Sequence, residues 1–455
     1  MSKVTVYIVS HNYGNYVQEA IESVLRQTFE DWELLLINDN SSDNTDEVFN
    51  LYKSDKRISI YKTEGIGLPG VCNFALKKAN GKYIIRLDGD DFFDENILLV
   101  LTHNLDNNKS NALVFPDYYL IDSKGGVFAQ EQREKVFQSN HVFDVPAHGA
   151  CTLIRKKVLI EIGGYRTDLG AQDGFDLWTR IISNYKCSNV NLPLFYYRRH
   201  GANLTEKHHH IFNARREIKK DASISKMEKY KSITAIIPCR ESYDIIPNLW
   251  KEELDEGLTL LDVAIQNCIN SKLFDKIVVT SDNKDVTTVM DKYHDKRLKF
   301  VYRESKLTIR SKPISETLFL IVNQEKIEDS GLLILVFLQS PFINYKSIEE
   351  GIYSLVLNDA DSAFAVEEIS KGLYKRDSHG LVPLNSKHLI RTDFDIIYGD
   401  SRNTVVTTVK NINKGSLLGA KTVNYITPQR ENLFIQTKFD LDFSKYKYLL
   451  DKNDK

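Results

Sequence analysis

The first ninety residues alternate between short apolar runs and amphipathic segments. Apolar runs of four to six residues occur at 4–9, 32–37, 58–61 and 83–87, and such runs are typical of strands buried on both faces of a sheet. Apolar residues recur at helical spacing over 17–27 and 68–79, and Asn80-Gly81 is expected to end the second helix. This order predicts a mostly parallel sheet with helices on both faces.

A second series of the same kind begins at Ile233. Strands are predicted at 233–237, 276–280 and 332–338, and a helix is predicted over 260–269. The segment KFDLDFSKYKYLL near the end of the chain is expected to form a short strand followed by a final helix.

Between the two series lies a charge-dense stretch, 206–231, which is interpreted as a solvated helical linker. The chain has 455 residues, more than one hydrophobic core usually supports. We therefore predict two consecutive nucleotide-binding α/β domains, at 1–220 and 231–455.

Composition narrows the class of protein. The formal charge of -2 gives no support for binding nucleic acid. Five widely spaced Cys without a CxxC pair are expected to be reduced thiols. No signal sequence or run of about 18 apolar residues is visible, so we expect a cytoplasmic protein. A peripheral contact with the inner face of the membrane stays open.

The chemistry is expected where the strands of the first domain end. Asp39 follows one buried strand, and Asp88, Gly89 and Asp90 follow another. Carboxylates at neighbouring strand ends can hold a hard divalent cation, which neutralises a diphosphate. An isolated Asp-x-Asp is also common in acidic surface turns, but the second acidic strand end favours a site.

Four segments resemble family-2 glycosyltransferases over about 200 residues: VSHNYGNYVQEAIESVLRQTFEDWELLLINDNSSDNTDEV, GLPGVCNFALKKANGKYIIRLDGDD, HGACTLIRKKVLIEIGGYRTDLGAQDGFDLWTRI and LPLFYYRRHGANLT. The resemblance implies a GT-A fold and an inverting transferase that uses Mn²⁺ or Mg²⁺. It also implies a nucleotide-diphosphate sugar, most often a UDP-sugar, and a glycan or lipid-linked acceptor. The activity would serve surface polysaccharide or glycoconjugate synthesis.

The resemblance assigns five residues to the nucleotide sugar: Ser10, Asn12, Asp39, Asp88 and Asp90. Asp39 matches the acid that contacts the nucleobase, and Asp88 is expected near the ribose and phosphates. Asn38 and Asn40 stand where the family often has Asp and Gly. This departure leaves the preferred base open.

The resemblance assigns three residues, with Asp90 again among them, to catalysis and metal binding. Asp90 matches the direct metal ligand, and His200 could be another ligand or contact phosphate. Asp173 matches the general base that accepts the proton of the acceptor hydroxyl, although Gln172 replaces the usual Glu beside it. Asp173 could also be a helix cap, and His200 an ordinary surface histidine.

The second domain resembles the cytidylyltransferases that activate sialic acid and related acidic sugars, through ITAIIPCRE, LLDVAIQNCINSKLFDKIVVTSDNKDV, VFLQSPF and DADSAFAVEE. Pro238, Arg240 and Pro247 keep the family spacing. However, residues 241–245 (ESYDI) replace the Gly-Gly-Ser-Lys-Gly run that cradles a triphosphate. Carboxylates there would repel polyphosphate, so the departure predicts a degenerate domain.

Five residues of the second domain are candidates for a remaining site: Arg240, Arg303, Gln339, Asp361 and Asp440. The first three would contact nucleotide or sugar, and Asp361 and Asp440 would bind metal. Each is equally explained as a loop ion pair or a helix cap. Because such domains often pair, the resemblance also implies a homodimer.

Two alternatives to a glycosyltransferase with a degenerate second module stay open. The protein could be bifunctional and also make a CMP-activated acidic sugar. It could instead be a non-catalytic scaffold of a glycan assembly complex. The altered loop at 241–245 argues against the first alternative, and the intact Asp88, Asp90 and Asp173 argue against the second.

Overall fold

A computed structural model describes residues 2–133, 148–169, 172–200, 208–243, 246–309, 311–369, 372–378, 380–384 and 397–453. The chain divides into two compact units, Met1–Ile218 and Lys219–Lys455. Each unit is described by itself below.

The elements of the first unit alternate as the sequence predicts up to the fourth strand. They are β1 (Val4–Ser10), α1 (Val17–Leu25), β2 (Trp32–Asp39), α2 (Thr45–Asn50), β3 (Ile58–Thr63), α3 (Gly67–Lys78) and β4 (Tyr83–Asp88). The remaining elements are β5 (Phe92–Phe93), α4 (Ile97–Asn107), β6 (Asn111–Ile121), β7 (Val127–Glu131), β8 (Leu153–Arg155), α5 (Lys156–Glu161), α6 (Asp173–Ile182) and β9 (Lys186–Arg198).

One mixed sheet organises this unit. Its strand order is β3-β2-β1-β4-β8-β6-β9-β5, with β7 added to β6. The strands β3, β2, β1 and β4 are parallel, and β8 runs antiparallel to both β4 and β6. The predicted parallel sheet is therefore confirmed for the first half, and the second half is mixed.

Apolar side chains on both faces explain the continuous hydrophobic runs. In β1, Val6 and Ile8 lie in one buried cluster, whereas Tyr7 and Val9 lie in a second cluster on the opposite face. Leu34 and Leu36 of β2 join the first cluster. Because alternate side chains of a strand point to opposite faces, a strand buried on both sides needs apolar residues throughout.

The second unit repeats this design. Its elements are α7 (His208–Met227, which spans the division between the units), β10 (Ile233–Pro238), β11 (Glu253–Asp255), β12 (Leu258–Thr259), α8 (Leu260–Asn270), β13 (Lys276–Ser281), α9 (Thr287–Met290), β14 (Leu298–Tyr302), α10 (Ile314–Gln324), β15 (Leu332–Val336), α11 (Tyr345–Leu357), β16 (Ser362–Ile369), β17 (Tyr374–Asp377), β18 (Gly380–Pro383), β19 (Ile397–Thr408), α12 (Val409–Asn413), β20 (Thr422–Ile426) and α13 (Lys438–Asn453).

The main sheet of this unit has the order β14-β13-β10-β15-β19-β16-β20. The strands β14, β13, β10 and β15 are parallel and follow the same order as β3, β2, β1 and β4. The four strands outside the main sheet form two small hairpins, β11-β12 and β17-β18. An α/β fold is thus confirmed in both units.

One predicted element is wrong. The segment that begins KFDLDF forms no strand and lies in the single helix α13. The carboxylate of Asp440 accepts hydrogen bonds from the backbone N–H groups of Gln436 and Thr437, at 3.0 and 2.8 Å. This cap starts the helix at Lys438. The alternating polar and apolar residues of KFDLDF therefore lie in the helix and form no strand.

No helix in the described part of the chain combines the length and apolarity needed to cross a bilayer.

Candidate functional site

The candidate site of the first unit lies at the ends of neighbouring strands, at the position in the sheet where the strand order reverses. The strand register pairs Ser10 with Asn38 and Val9 with Asp88. The ends of β1, β2 and β4 therefore meet at one edge of the sheet. In open α/β sheets, ligands bind in the crevice at such a reversal of strand order.

Ser10 and Asn12 join the loops that follow β1 and β2. Asn12 adopts a left-handed conformation, with φ 64°, and its side-chain oxygen accepts a hydrogen bond of 2.8 Å from the Ser42 N–H. The Asn12 N–H donates to the Ser41 hydroxyl at 3.0 Å. Ser10 is fully buried, with its hydroxyl 3.3 Å from that of Thr45. Asn12 therefore ties the two loops together, and Ser10 packs beneath them.

Asp39 fixes the opposite loop. Its carboxylate accepts hydrogen bonds from the Thr63 hydroxyl at 2.6 Å and from the backbone N–H groups of Ile66 and Gly67 at 2.9 Å. The next residue, Asn40, is left-handed, with φ 58°. Asn tolerates this conformation better than most residues, so it can stand where the family often has Gly.

The turn after β4 depends on a glycine. The Gly89 N–H donates to the Val9 carbonyl at 3.0 Å, and a β-carbon at this position would lie only 3.0 Å from the same oxygen. Glycine therefore lets the turn approach β1 closely.

The segment that follows β9 brings His200 to Asp90. The His200 Nε2 lies 3.0 Å from the Asp90 Oδ2, and its ring stacks on Tyr16 with the centroids 5.6 Å apart. Arg198 fastens the strand, because its Nε donates to the Asp90 carbonyl and its N–H to the Asp91 carboxylate, both at 2.8 Å. The structure thus brings together the two predicted metal ligands.

Carboxylates outnumber their counter-charges at this edge. Burial raises the pKa of Asp88 to about 6, and the neighbouring Asp90 and Asp173 act in the same direction, whereas Arg86 opposes them. Burial together with Asp90 and Asp88 holds the pKa of Asp91 well above its ordinary value. Such a cluster favours a cation.

The described residues contain no group of three or more His, Cys, Asp or Glu side chains that could hold a metal by themselves. Asp90 and His200 form a set of two. Mg²⁺ in phosphate-binding sites is commonly held by one or two carboxylates, the substrate phosphates and water. These residues therefore fit a divalent ion that is shared with a diphosphate.

Arg86 is a residue that the sequence analysis missed. Its buried guanidinium lies between two carboxylates, with Nε 2.9 Å from Asp88 Oδ1 and Nη1 2.6 Å from Asp173 Oδ2. The signal was present in the sequence, because a lone arginine interrupts the apolar strand YIIRL. A charged residue in a buried strand is rarely unpaired.

Asp173 reaches the site from the start of α6. The N-cap position is held by Gln172, with φ 61°, so Asp173 is the first residue of the helix and not its N-cap. A cavity of about 20 Å³ lies beside it and is also lined by Gly149, Thr152 and Trp178. That volume is about that of one water molecule.

An aromatic wall continues this side of the site. The His148 ring lies 4.7 Å from that of Tyr197 and 5.3 Å from that of Tyr118, centroid to centroid. Burial, together with Arg86 and Arg133, lowers the pKa of His148 to about 3. His148 is therefore a neutral ring at physiological pH.

In the second unit, three of the candidate site residues follow the ends of β10, β14 and β15. This edge of the sheet corresponds to the edge that carries the candidate site in the first unit. Arg240 follows β10; it lies over the Tyr243 ring at 4.6 Å and donates to the Thr308 carbonyl at 3.3 Å. Arg303 follows β14 and is buried, and it donates to the Cys239 carbonyl at 2.5 Å. Gln339 follows β15, and its carbonyl accepts from the Ile435 N–H at 2.8 Å.

The remaining two candidates lie elsewhere. The Asp361 carbonyl accepts from the N–H of Thr408, which pairs with Leu332 at the start of β15. Asp361 is therefore at the opposite edge of the sheet, where its carboxylate accepts from the Lys421 N–H at 3.0 Å. Asp440 caps α13. The structure does not bring either carboxylate to the strand ends that carry Arg240.

The altered loop is partly described, since Asp244 and Ile245 lie outside the described residues. Tyr243 is buried in an apolar cluster with Leu249 and Leu260. The Glu241 N–H is held by the Asp282 carboxylate at 3.0 Å. An aromatic side chain therefore packs into the core at this part of the loop.

Comparison with known proteins adds the family of the first unit. The sequence profile named Glycosyl transferase family 2 matches residues 5–163. A glucosyltransferase of Escherichia coli, UDP-Glc:alpha-D-GlcNAc-diphosphoundecaprenol beta-1,3-glucosyltransferase WfaP, is 27% identical over 216 residues, which are 45% of this chain and 80% of that protein. The chondroitin synthase of Pasteurella multocida is 33% identical over 127 residues, which are 28% of this chain and 13% of that protein.

An uncharacterised glycosyltransferase of Rickettsia felis is 29% identical over 189 residues, which are 39% of this chain and 31% of that protein. The chain thus spans about a third of the length of this relative. A solved structure, Staphylococcus aureus TarS 1–349 in complex with UDP-GlcNAc, is similar with a TM-score of 0.42 and 16% identity, over 50% of this chain and 66% of that one. Residues 5–163 therefore form a glycosyltransferase family 2 domain.

Replacing Arg86 by Met should destabilise the first unit by roughly 3–5 kcal/mol, because two carboxylates would lose their buried counter-charge. Urea unfolding followed by circular dichroism measures this loss. Arg26→Met is the matched control: its ion pair with Glu22 is exposed, so the change should stay below about 1 kcal/mol. Equal stabilities of the two variants would contradict a structural role for the Arg86 bridge.

Proposed function

We propose that the first unit is an inverting glycosyltransferase that uses a nucleotide-diphosphate sugar, most often a UDP-sugar, and Mn²⁺ or Mg²⁺. One observation carries this proposal. The Asp90–His200 pair and the Arg86-linked Asp88 and Asp173 lie at the same sheet edge, where β1, β2 and β4 end. The family match of residues 5–163 supports it.

The donor is expected to lie along the strand ends. Asp39, Ser10 and Asn12 shape the end that would take the nucleoside, and Asp88 would lie near the ribose and phosphates. Asp90 and His200 would hold the metal beside the diphosphate. The relative WfaP is named for UDP-Glc, which favours a uridine nucleotide for this chain.

The proposed reaction is a single displacement at the anomeric carbon. The acceptor hydroxyl oxygen forms a bond to that carbon as the bond to the diphosphate oxygen breaks, so the configuration inverts. Asp173 accepts the hydroxyl proton, and the nucleoside diphosphate leaves with the bonding electron pair. The divalent ion, when bound, stabilises the negative charge that develops on the diphosphate.

Arg86 orients the base in this scheme. Its Nη1 contacts one oxygen of Asp173 at 2.6 Å, which leaves the other oxygen to face the acceptor. Gly149 lines the cavity beside Asp173, and the residue before it, His148, packs its ring against that of Tyr197. The apolar face of a sugar can pack on such rings. This arrangement supports a glycan or the glycan part of a lipid-linked molecule as the acceptor.

Asp90→Asn should weaken UDP binding in the presence of Mn²⁺ by about 10- to 100-fold, because a charged metal ligand is lost. Calorimetric titration of UDP into the full chain, with and without Mn²⁺, measures the effect. Asp55→Asn, far from the site after α2, is the control and should bind like the unaltered protein. If Mn²⁺ does not change the affinity of the unaltered chain for UDP, the metal assignment fails.

Asp173→Asn should lower the rate of UDP release from a UDP-sugar by roughly 10²- to 10⁴-fold while UDP affinity changes less than about twofold. A panel of UDP-sugars with oligosaccharide acceptors provides the assay. Asp168→Asn removes an exposed carboxylate of the preceding loop and should keep the full rate. An unchanged rate in Asp173→Asn would show that another group takes the proton.

For the second unit, we infer a nucleotidyltransferase-like module that does not transfer CMP. The loop after β10 has the carboxylate of Glu241 where the resemblance puts a small glycine, and the buried ring of Tyr243 where it puts a serine. Arg240 and Arg303 already donate to the backbone carbonyls of Thr308 and Cys239. The carboxylates of Asp361 and Asp440 already accept from backbone N–H groups. This reading disfavours the bifunctional alternative.

Incubation of the full chain with CTP, Mg²⁺ and an acidic sugar should release no pyrophosphate. Titration of CTP with Mg²⁺ should give the same isotherm for the unaltered chain and for Arg240→Ala, because no triphosphate site uses that side chain. Pyrophosphate release that Arg240→Ala abolishes would instead establish a second enzyme in the chain.

A further inference from the structure

The start of α6 contacts a second arginine, which lies on the part of α7 that belongs to the first unit. The Nε of the half-buried Arg215 donates a hydrogen bond of 3.1 Å to the Oε1 of Gln172, the residue directly before Asp173. Its guanidinium also lies over the ring of Phe175, 5.0 Å from the centroid. Arg215 therefore contacts residues on both sides of Asp173.

The backbone at Gln172 adopts a conformation that needs support. Its φ of 61° and ψ of 33° lie in the left-handed region, which side chains other than those of Asn and Asp seldom enter. Such a conformation persists where the surrounding contacts fix it, and it is frequent at active sites. Because α6 begins at Asp173, the turn at Gln172 sets the direction in which the carboxylate leaves the backbone.

Asp173 is thus held from two sides. Arg86 contacts its Oδ2 at 2.6 Å, and the Arg215–Gln172 hydrogen bond supports the backbone just before it. The Asp173 side chain is 15% exposed, so it stays accessible to an acceptor. A general base must lie within about 3 Å of the proton that it accepts, and a displacement of about 1 Å can cost a rate factor of about 100.

We propose that Arg215 is a positioning residue of the transferase, which acts through Gln172 to direct the Asp173 carboxylate towards the acceptor hydroxyl. The inference rests on the proposed role of Asp173 as the general base. Arg215 itself does not touch the reacting atoms. The inference gives a part in the reaction to α7, which lies beyond the residues 5–163 that the family profile matches.

Gln172→Gly separates positioning from stability. Glycine adopts the left-handed conformation without strain, so the midpoint of thermal unfolding should stay unchanged or rise. The substitution also removes the hydrogen-bond acceptor of Arg215. The kcat for UDP release, measured with a UDP-sugar and an oligosaccharide acceptor, should therefore fall about 10- to 100-fold, while the KM for the UDP-sugar changes less than about twofold.

Substitutions of Arg215 test the other partner of the hydrogen bond. Arg215→Met should lower kcat as far as Gln172→Gly does, and Arg215→Lys, which keeps a donor, should recover most of that loss. The double variant should be no slower than either single variant, because both remove the same interaction. Arg26→Met is the matched control: it removes an arginine whose ion pair with Glu22 is exposed, and it should keep the full kcat.

Asp173→Asn in the same assay separates the two ways in which the inference can fail. If Asp173→Asn loses activity but Gln172→Gly and Arg215→Met keep the full kcat, the inference is overturned and the proposed function stands. Multiplied losses in the double variant also overturn the inference, because the two side chains would then act separately. If the unaltered chain releases no UDP, or Asp173→Asn keeps its rate, the proposed function fails and the inference fails with it.

Discussion

The candidate site depends on one buried guanidinium. Arg86 lies inside a strand whose other side chains are apolar, and it contacts Asp88 at the end of the same strand and Asp173 at the start of a helix much later in the chain. Without this positive charge, two carboxylates would share a poorly solvated space, which costs several kcal/mol. The acid that resembles a general base and the acid that resembles a nucleotide contact are thus held by the same side chain.

The two units share an arrangement of four parallel strands, but the loops at the ends of these strands differ in chemistry. In the first unit, the loops at the strand ends are polar and carry the carboxylates of Asp39, Asp88 and Asp90. In the second unit, the corresponding loop contributes Tyr243 to an apolar cluster, and Arg303 donates to the backbone of that loop. Equal topology therefore does not imply equal chemistry, because the loops and not the strands carry the reactive groups.

Much of the fold could be predicted from the sequence, since continuous apolar runs and helical spacing are local signals. The α/β class, the first four strands and the helices α1 and α3 follow from such patterns, whereas the short α2 was not predicted. The mixed half of the first sheet and the helix at Lys438 could not, because strand direction and capping depend on contacts that no local pattern encodes. The Asp39, Asp88 and Asp90 loops were visible as acidic strand ends, whereas the partner of Arg86 lies 87 residues away and is not implied by spacing.

Arg198 and His200 have a consequence for the order of folding. His200 meets Asp90 across 110 residues, and Arg198 secures the same turn after β4. The parallel half of the sheet pairs residues that lie 24 to 79 positions apart, and contacts of larger sequence separation are expected to form later. A nascent chain therefore carries an acidic turn without its closing strand until the ribosome has moved far beyond the matched family segment. A fragment that ends at residue 163 would match the whole family profile and still lack Asp173 and His200, the residues proposed as base and metal ligand.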